Sequence, residues 1–126
     1  MDLKMSEKAL PPEVQQLVIQ YQTLREHYSR IEAELRVVEA ELSEIDNIMD
    51  TLKGLGDDAE LYKATGHILV RKSKTEIMKE LEERKELLTI KRDKYKKQLD
   101  FLTKQINELE GKLRETLAKH GITAVR

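Results

Sequence analysis

The stretch DDAELYKATGHILVRKSK, residues 57–74, interrupts a chain that otherwise reads as two long charged helices. It holds two short apolar runs, AELYKA and HILVRK, around a Thr65–Gly66 pair. Short runs with β-branched and aromatic residues, and a glycine where a turn needs positive φ, predict a β-hairpin with strands over 59–64 and 67–72. Two strands alone are marginal in water, and their open edges invite pairing with another chain. Leu61, Tyr62, Ile68, Leu69 and Val70 alternate onto both faces, so a single hairpin cannot bury them. The expected solution is that hairpins from several chains close into a sheet or barrel. Off-seam Ile77, Leu87 and Ile90 are then placed to pack against it.

Outward from the hairpin, the apolar positions before it are Val14, Leu17, Tyr21, Leu24, Tyr28, Ile31, Leu35, Val38, Leu42, Ile45, Met49 and Leu52. Their spacing alternates three and four without a break, which is the a/d seam of a coiled coil. Pro12 and Glu13 mark the helix start, and GLGDD after Lys53 marks its end. The positions after the hairpin are Met78, Leu81, Lys85, Leu88, Arg92, Tyr95, Leu99, Leu102, Ile106, Leu109, Leu113 and Thr116, with the same alternation. SKTE at 73–76 is a capping-box candidate, and Gly121 is the expected C-cap.

The two stripes have equal length, so folding back at the hairpin sets Leu52 against Met78, Val38 against Arg92 and Val14 against Thr116. The expected fold is predominantly α, a long antiparallel two-helix coiled coil with one β-hairpin at the bend. Its segments are a tail over 1–12, a helix over 13–53, linker and hairpin over 54–74, a helix over 75–120 and a tail over 121–126. Glu41–Lys91 and Glu32–Lys96 are the expected edge ion pairs. The seam cations Lys85 and Arg92 are expected to reach the acidic first helix.

Composition fits this reading. Charged residues make up 37% of the 126 residues, hydrophobic residues 39%, with one Phe and no Trp. That suits a narrow apolar stripe rather than a thick core. The net charge of −1 predicts neither a nucleic-acid nor a membrane partner. With no Cys there is no thiolate site. No apolar run approaches membrane-spanning length, and the N-terminus carries no apolar signal core. The basic runs RKSK and KRDKYKK lack a continuous face with free aromatics, so they read as solvated faces beside carboxylates. His27, His67 and His120 have no metal-ligand spacing, and no nucleophile or phosphate-loop motif occurs. The expectation is no catalytic residue, no cofactor and no metal.

A helix opened by PPEV, then DDAELYK, TGHILVRKSK and a second long helix, resembles the archaeal-like beta-type subunits of prefoldin. The likeness runs over nearly the whole chain, and Asp57, Asp58, Ala59, Tyr62, Lys63, Gly66 and Val70 are its best local markers. A single hairpin resembles the beta type, since alpha-type subunits carry two. The resemblance implies a cytoplasmic hexamer of two alpha-type and four beta-type subunits with a β-barrel body and projecting arms. Such an assembly holds unfolded protein clients without ATP and passes them to a chaperonin. On spacing alone, the apolar residues where the first helix begins and the second ends widen the local core. The resemblance places client contacts at arm tips, and so assigns Leu10, Val14, Leu17, Val18, Ile19, Leu113, Leu117 and Ile122 to that role. Val18, Ile19 and Ile122 are expected to lack cover. The competing function is a structural coiled-coil adaptor that oligomerises through its hairpin and binds one folded partner.

Overall fold

The computed structural model describes residues 10–122. The order is α1 (Pro12–Lys53), β1 (Leu61–Thr65), β2 (Ile68–Lys72) and α2 (Lys74–Lys119). The expected outer parts of both tails, 1–9 and 123–126, lie outside the described residues. Both helices are long, 42 and 46 residues. All twenty-four seam positions read from the sequence are buried or half-buried. The described chain divides into two compact units, residues 34–95 and residues 10–33 with 96–122.

In the first unit, the end of α1 packs antiparallel on the start of α2. Val38, Leu42, Ile45 and Met49 meet Leu88, with Met78, Leu81 and Tyr95 against them. Ion pairs flank this seam. Lys85, on the stripe, sends its ammonium out to Asp46 at 2.6 Å. Arg84 forms a two-pronged contact with Glu41, so Glu41 does not take the expected partner Lys91. Lys91 instead lies over the Tyr95 ring. Arg92 turns to Asp93 of its own helix at 3.3 Å rather than to α1. Several long side chains can reach one carboxylate along a coiled-coil edge, so periodicity fixes the edge and not the pair. The Tyr95 phenol bonds to Glu34, and that bond, then burial, raises its pKa above the ordinary value.

The hairpin has a two-residue turn, Gly66–His67, with Thr65 paired to Ile68 and Leu61 to Lys72. β1 starts two residues later than expected and runs one further, to Thr65, and β2 starts one residue later because the turn consumes His67. Gly66 has φ 60° and no other non-helical strand residue has positive φ, the pattern of a II′ turn. Glycine is required there because a Cβ would strain the left-handed backbone. Beyond the hairpin, Ser73 caps α2, its Oγ accepting from the Glu76 amide at 3.1 Å. That helix therefore starts at Lys74, one residue ahead of expectation.

Strand pairing puts residues 61, 63, 65, 68, 70 and 72 on one hairpin face. This face leans on α2. Lys63 donates to Glu80 at 2.8 Å, Lys72 lies 3.5 Å from the same carboxylate, and Leu61 and Val70 are half-buried. The hairpin is thus clamped to the helix that follows it.

In the second unit, the start of α1 packs on the end of α2, with Ile31, Leu102 and Ile106 buried. Tyr21 Oη donates to Glu110 at 3.1 Å, and burial, then this bond, raises the phenol pKa. Leu10, Val14, Val18 and Leu117 form the apolar cluster at the helix ends.

The clamp carries a pH dependence. The hydrogen bond from Lys63 is the main cause that lowers Glu80 below the ordinary carboxyl value of 4.5, while partial desolvation opposes it. A lowered folded pKa means a contribution present above the unfolded value and lost as pH falls through the folded one. Hydrogen exchange of the hairpin amides, measured as local opening, is therefore expected to accelerate progressively below pH 4.5. In Glu80→Gln this acid dependence is expected to vanish. Retention of the same acid response in that variant would place its source elsewhere.

Candidate functional site

The strand geometry divides the hairpin's apolar residues. Tyr62, Ala64, Leu69 and Arg71 share the face turned away from the clamp. Tyr62 is 53% exposed and Leu69 70% exposed. Ile68, next to the turn, is also exposed. Of the two faces expected to need cover, the one toward α2 has it, with Leu61 and Val70 half-buried, while the outer face and the turn stand open. The shared contact of Lys63 and Lys72 with Glu80 holds that face against α2.

Beside the hairpin lies a groove of about 550 Å³ lined by Tyr62, Lys63, Ile77, Glu80, Leu81, Glu83, Arg84 and Leu87. Its lining mixes apolar Ile77, Leu81 and Leu87 with charged Lys63, Glu80, Glu83 and Arg84. Ile77 and Leu87 do share a surface with hairpin residue Tyr62, as their off-seam positions predict, whereas Ile90 is exposed and does not line the groove. The outer hairpin face and this groove together present unpaired strand edges and apolar side chains, which is what β-pairing with another chain uses. Among the described residues no group of three or more His, Cys, Asp or Glu could hold a metal ion. No described helix is long and apolar enough to cross a membrane.

The residues assigned to the helix ends come together, but most are covered. Leu10, Val14, Leu17, Val18 and Leu117 are buried, and half-buried Leu113 and Ile122 pack on the cluster. Ile19 alone of the set is open, 61% exposed. The expectation that Val18 and Ile122 lack cover is therefore corrected. Two local devices cause this. Before α1, the Gln15 side-chain amide donates to the Leu10 carbonyl at 2.7 Å while Leu10 lies in the cluster with Val14 and Val18. After α2, Gly121 takes φ 67°, its amide bonds to Ala118 at 3.1 Å, and the Ile122 amide bonds to Leu117 at 2.8 Å. That pair of bonds is a Schellman ending, which brings the residue after the glycine onto the last turn. An apolar residue directly after a C-capping glycine was the sequence signal for it.

Val37 and Phe101, 71% and 62% exposed, lie off both seams and were not singled out from the sequence. Isolated exposed apolar residues are ordinary, and neither gathers polar groups around it.

This geometry can be set beside known proteins. A family model described as prefoldin subunit matches residues 15–120. The prefoldin subunit beta of Saccharolobus islandicus strain L.S.2.15 is 41% identical over 116 residues, 92% of this chain and 91% of that one. The prefoldin subunit beta of Sulfurisphaera tokodaii is 35% identical over 111 residues, 88% of this chain and 89% of that one. Among solved structures, the crystal structure of the prefoldin beta subunit from Thermococcus strain KS-1 superimposes with a TM-score of 0.81 at 27% identity, covering 85% of this chain and 94% of that one. With helices, single hairpin and near-full coverage all in agreement, the chain belongs to the prefoldin subunit family, on the side of its beta subunits.

Proposed function

We propose that this chain is the beta-type subunit of an ATP-independent holdase, a cytoplasmic hexamer of two alpha-type and four beta-type subunits that captures unfolded proteins and hands them to a chaperonin. A chaperone-type role follows from family membership, and prefoldin beta subunits work in heteromeric complexes. The observation that carries the finer reading is the apolar cluster at the helix ends. It gathers Leu10, Val14, Val18, Leu113, Leu117 and Ile122, more apolar surface than a two-helix seam requires. Non-native chains share exposed apolar side chains and little else. A surface that offers only dispersion and desolvation suits many of them. Each contact is weak, so affinity must come from several subunits engaging one client, where the second contact is intramolecular and gains effective concentration. No ATP is needed in such a scheme, and the protein catalyses nothing.

Assembly belongs to the hairpin in this reading. The outer face, with Tyr62 and Leu69, and the groove beside it would be filled by neighbouring hairpins closing into a barrel. Leu61 and Val70 serve mainly to hold the hairpin on α2.

Two measurements check these roles. Tyr62 and Leu69 are exposed, so Tyr62→Lys with Leu69→Lys should leave the subunit folded and as helical as wild type. Native mass spectrometry with the cognate alpha-type subunit should then show monomers or small species. Persistence of the hexameric mass would remove the hairpin face from assembly. Removing residues 1–18 and 114–126 should leave the hexamer intact and abolish suppression of aggregation of several unrelated unfolded proteins. Full suppression by an intact truncated hexamer would move the client site. Retention of one folded partner, without any client suppression in wild type, would favour the adaptor function.

A further inference from the structure

The helix-end cluster is closed as it stands, and the two residues that close it lie outside the helices. Leu10 precedes α1, and Ile122 follows α2. Leu10 is held by one side-chain bond from Gln15 and by its place among Val14 and Val18. Ile122 is held by the Schellman bonds through Gly121. The same two chain ends are near one another, with His120 Nε2 3.7 Å from Glu13 Oε2. Leu10 falls at the next three–four position before Val14 but outside the helix, and Ile122 lies off the stripe. Releasing both uncovers Val14, Val18, Leu113 and Leu117 without breaking a helical turn of either helix.

We propose that Leu10 and Ile122 are a displaceable latch: they occupy the apolar surface that an unfolded client would take, and capture proceeds through the open state. This rests on the holdase reading and adds a regulation to it. Surface that would otherwise bind copies of itself is covered until a client competes for it, which limits self-association of large apolar patches. The apparent affinity for a client is then reduced by the fraction of chain ends that are open. The client chemistry required is modest: an extended segment with one or two aliphatic or aromatic side chains, able to replace Leu10 and Ile122.

Gly121 allows a test that leaves every apolar side chain in place. A Cβ built there meets nothing within 4 Å, so a substitution acts through the backbone alone. L-Alanine disfavours the positive φ that the cap requires, and D-alanine favours it. Both proteins are made by ligating a synthetic segment 121–126 to the preceding chain, and are assembled with the cognate alpha-type subunit. The probe is reduced, carboxymethylated α-lactalbumin, which stays unfolded. Two quantities are read: its Kd, and hydrogen exchange at the Ile122 amide, the reporter of closure.

With Gly121→Ala, exchange at Ile122 is expected to speed up and the Kd to tighten about fivefold or more, the open population rising as the left-handed penalty is imposed. With D-alanine, exchange is expected to slow and the Kd to weaken by about twofold. Equal affinities despite different exchange rates overturn the latch and leave the holdase function standing. Weaker binding by the L-alanine protein also overturns it, and marks the closed cap as part of the binding surface. Unchanged exchange at Ile122 in both proteins overturns it by showing that Gly121 does not set closure. If wild type and both variants capture no probe, the holdase function falls with it.

Discussion

A two-helix seam has one buried stripe and no second layer, and the rest of this molecule follows from that limit. Each helix can hide the residues at its three–four positions and little more. Val38, Leu42, Ile45, Met49 and Leu88 use the seam fully. Apolar residues clustered anywhere else are covered by a local device or stand open to another chain. The clamp from Lys63 and Lys72 to Glu80 is such a device, since it draws Leu61 and Val70 toward α2. The returns at Leu10 and Ile122 are two more. At the hairpin, no local device covers the outer face, where Tyr62 and Leu69 stand in solvent, or the turn, where Ile68 does.

Charge acts on register rather than on stability. Arg84–Glu41 and Lys85–Asp46 have half-exposed partners, and exposed pairs contribute about 0.2–1 kcal/mol each. Burial of one seam leucine outweighs several of them, at about 1.5–3 kcal/mol. A shift of one heptad would preserve the apolar seam but place these cations opposite different partners. Lys85 costs an apolar knob in its layer and returns a bond to Asp46, the kind of polar interruption that fixes alignment. Tyr95 with Glu34, and Tyr21 with Glu110, add alignment within their own units through neutral phenols that stay protonated, their pKa values being raised.

The seams were fully legible because a strict three–four spacing over twelve positions admits one burial pattern, and each of those positions is at least half-buried. The hairpin was legible from Gly66, whose φ of 60° is what the turn demands. Its strand limits were not, because Ala59 and Glu60 have the composition of a strand but no partner across the turn at the observed register. Ion-pair partners were illegible for a different reason: Glu41 can be reached by arginines and lysines at several edge positions, and rotamers decide among them. The covered state of Val18 was missed because residues before Pro12 and after Gly121 were treated as tails. Backbone bonds at the helix ends return both segments to the cluster. The client role proposed for that cluster rests on family resemblance, since spacing alone reads it as a wider core.

The central claim is that this chain leaves its hairpin face for other chains to complete. Residue-resolved hydrogen exchange on the full chain, alone and mixed with the alpha-type subunit proposed as its partner, tests it most directly. The Leu61–Thr65 and Ile68–Lys72 amides not bonded within the hairpin should exchange freely in the isolated chain and become strongly protected in the complex. Seam amides of both helices should change far less. Equal exchange of the hairpin amides in the two states would contradict the account, because the face left open by the two-helix seam would then have found no partner.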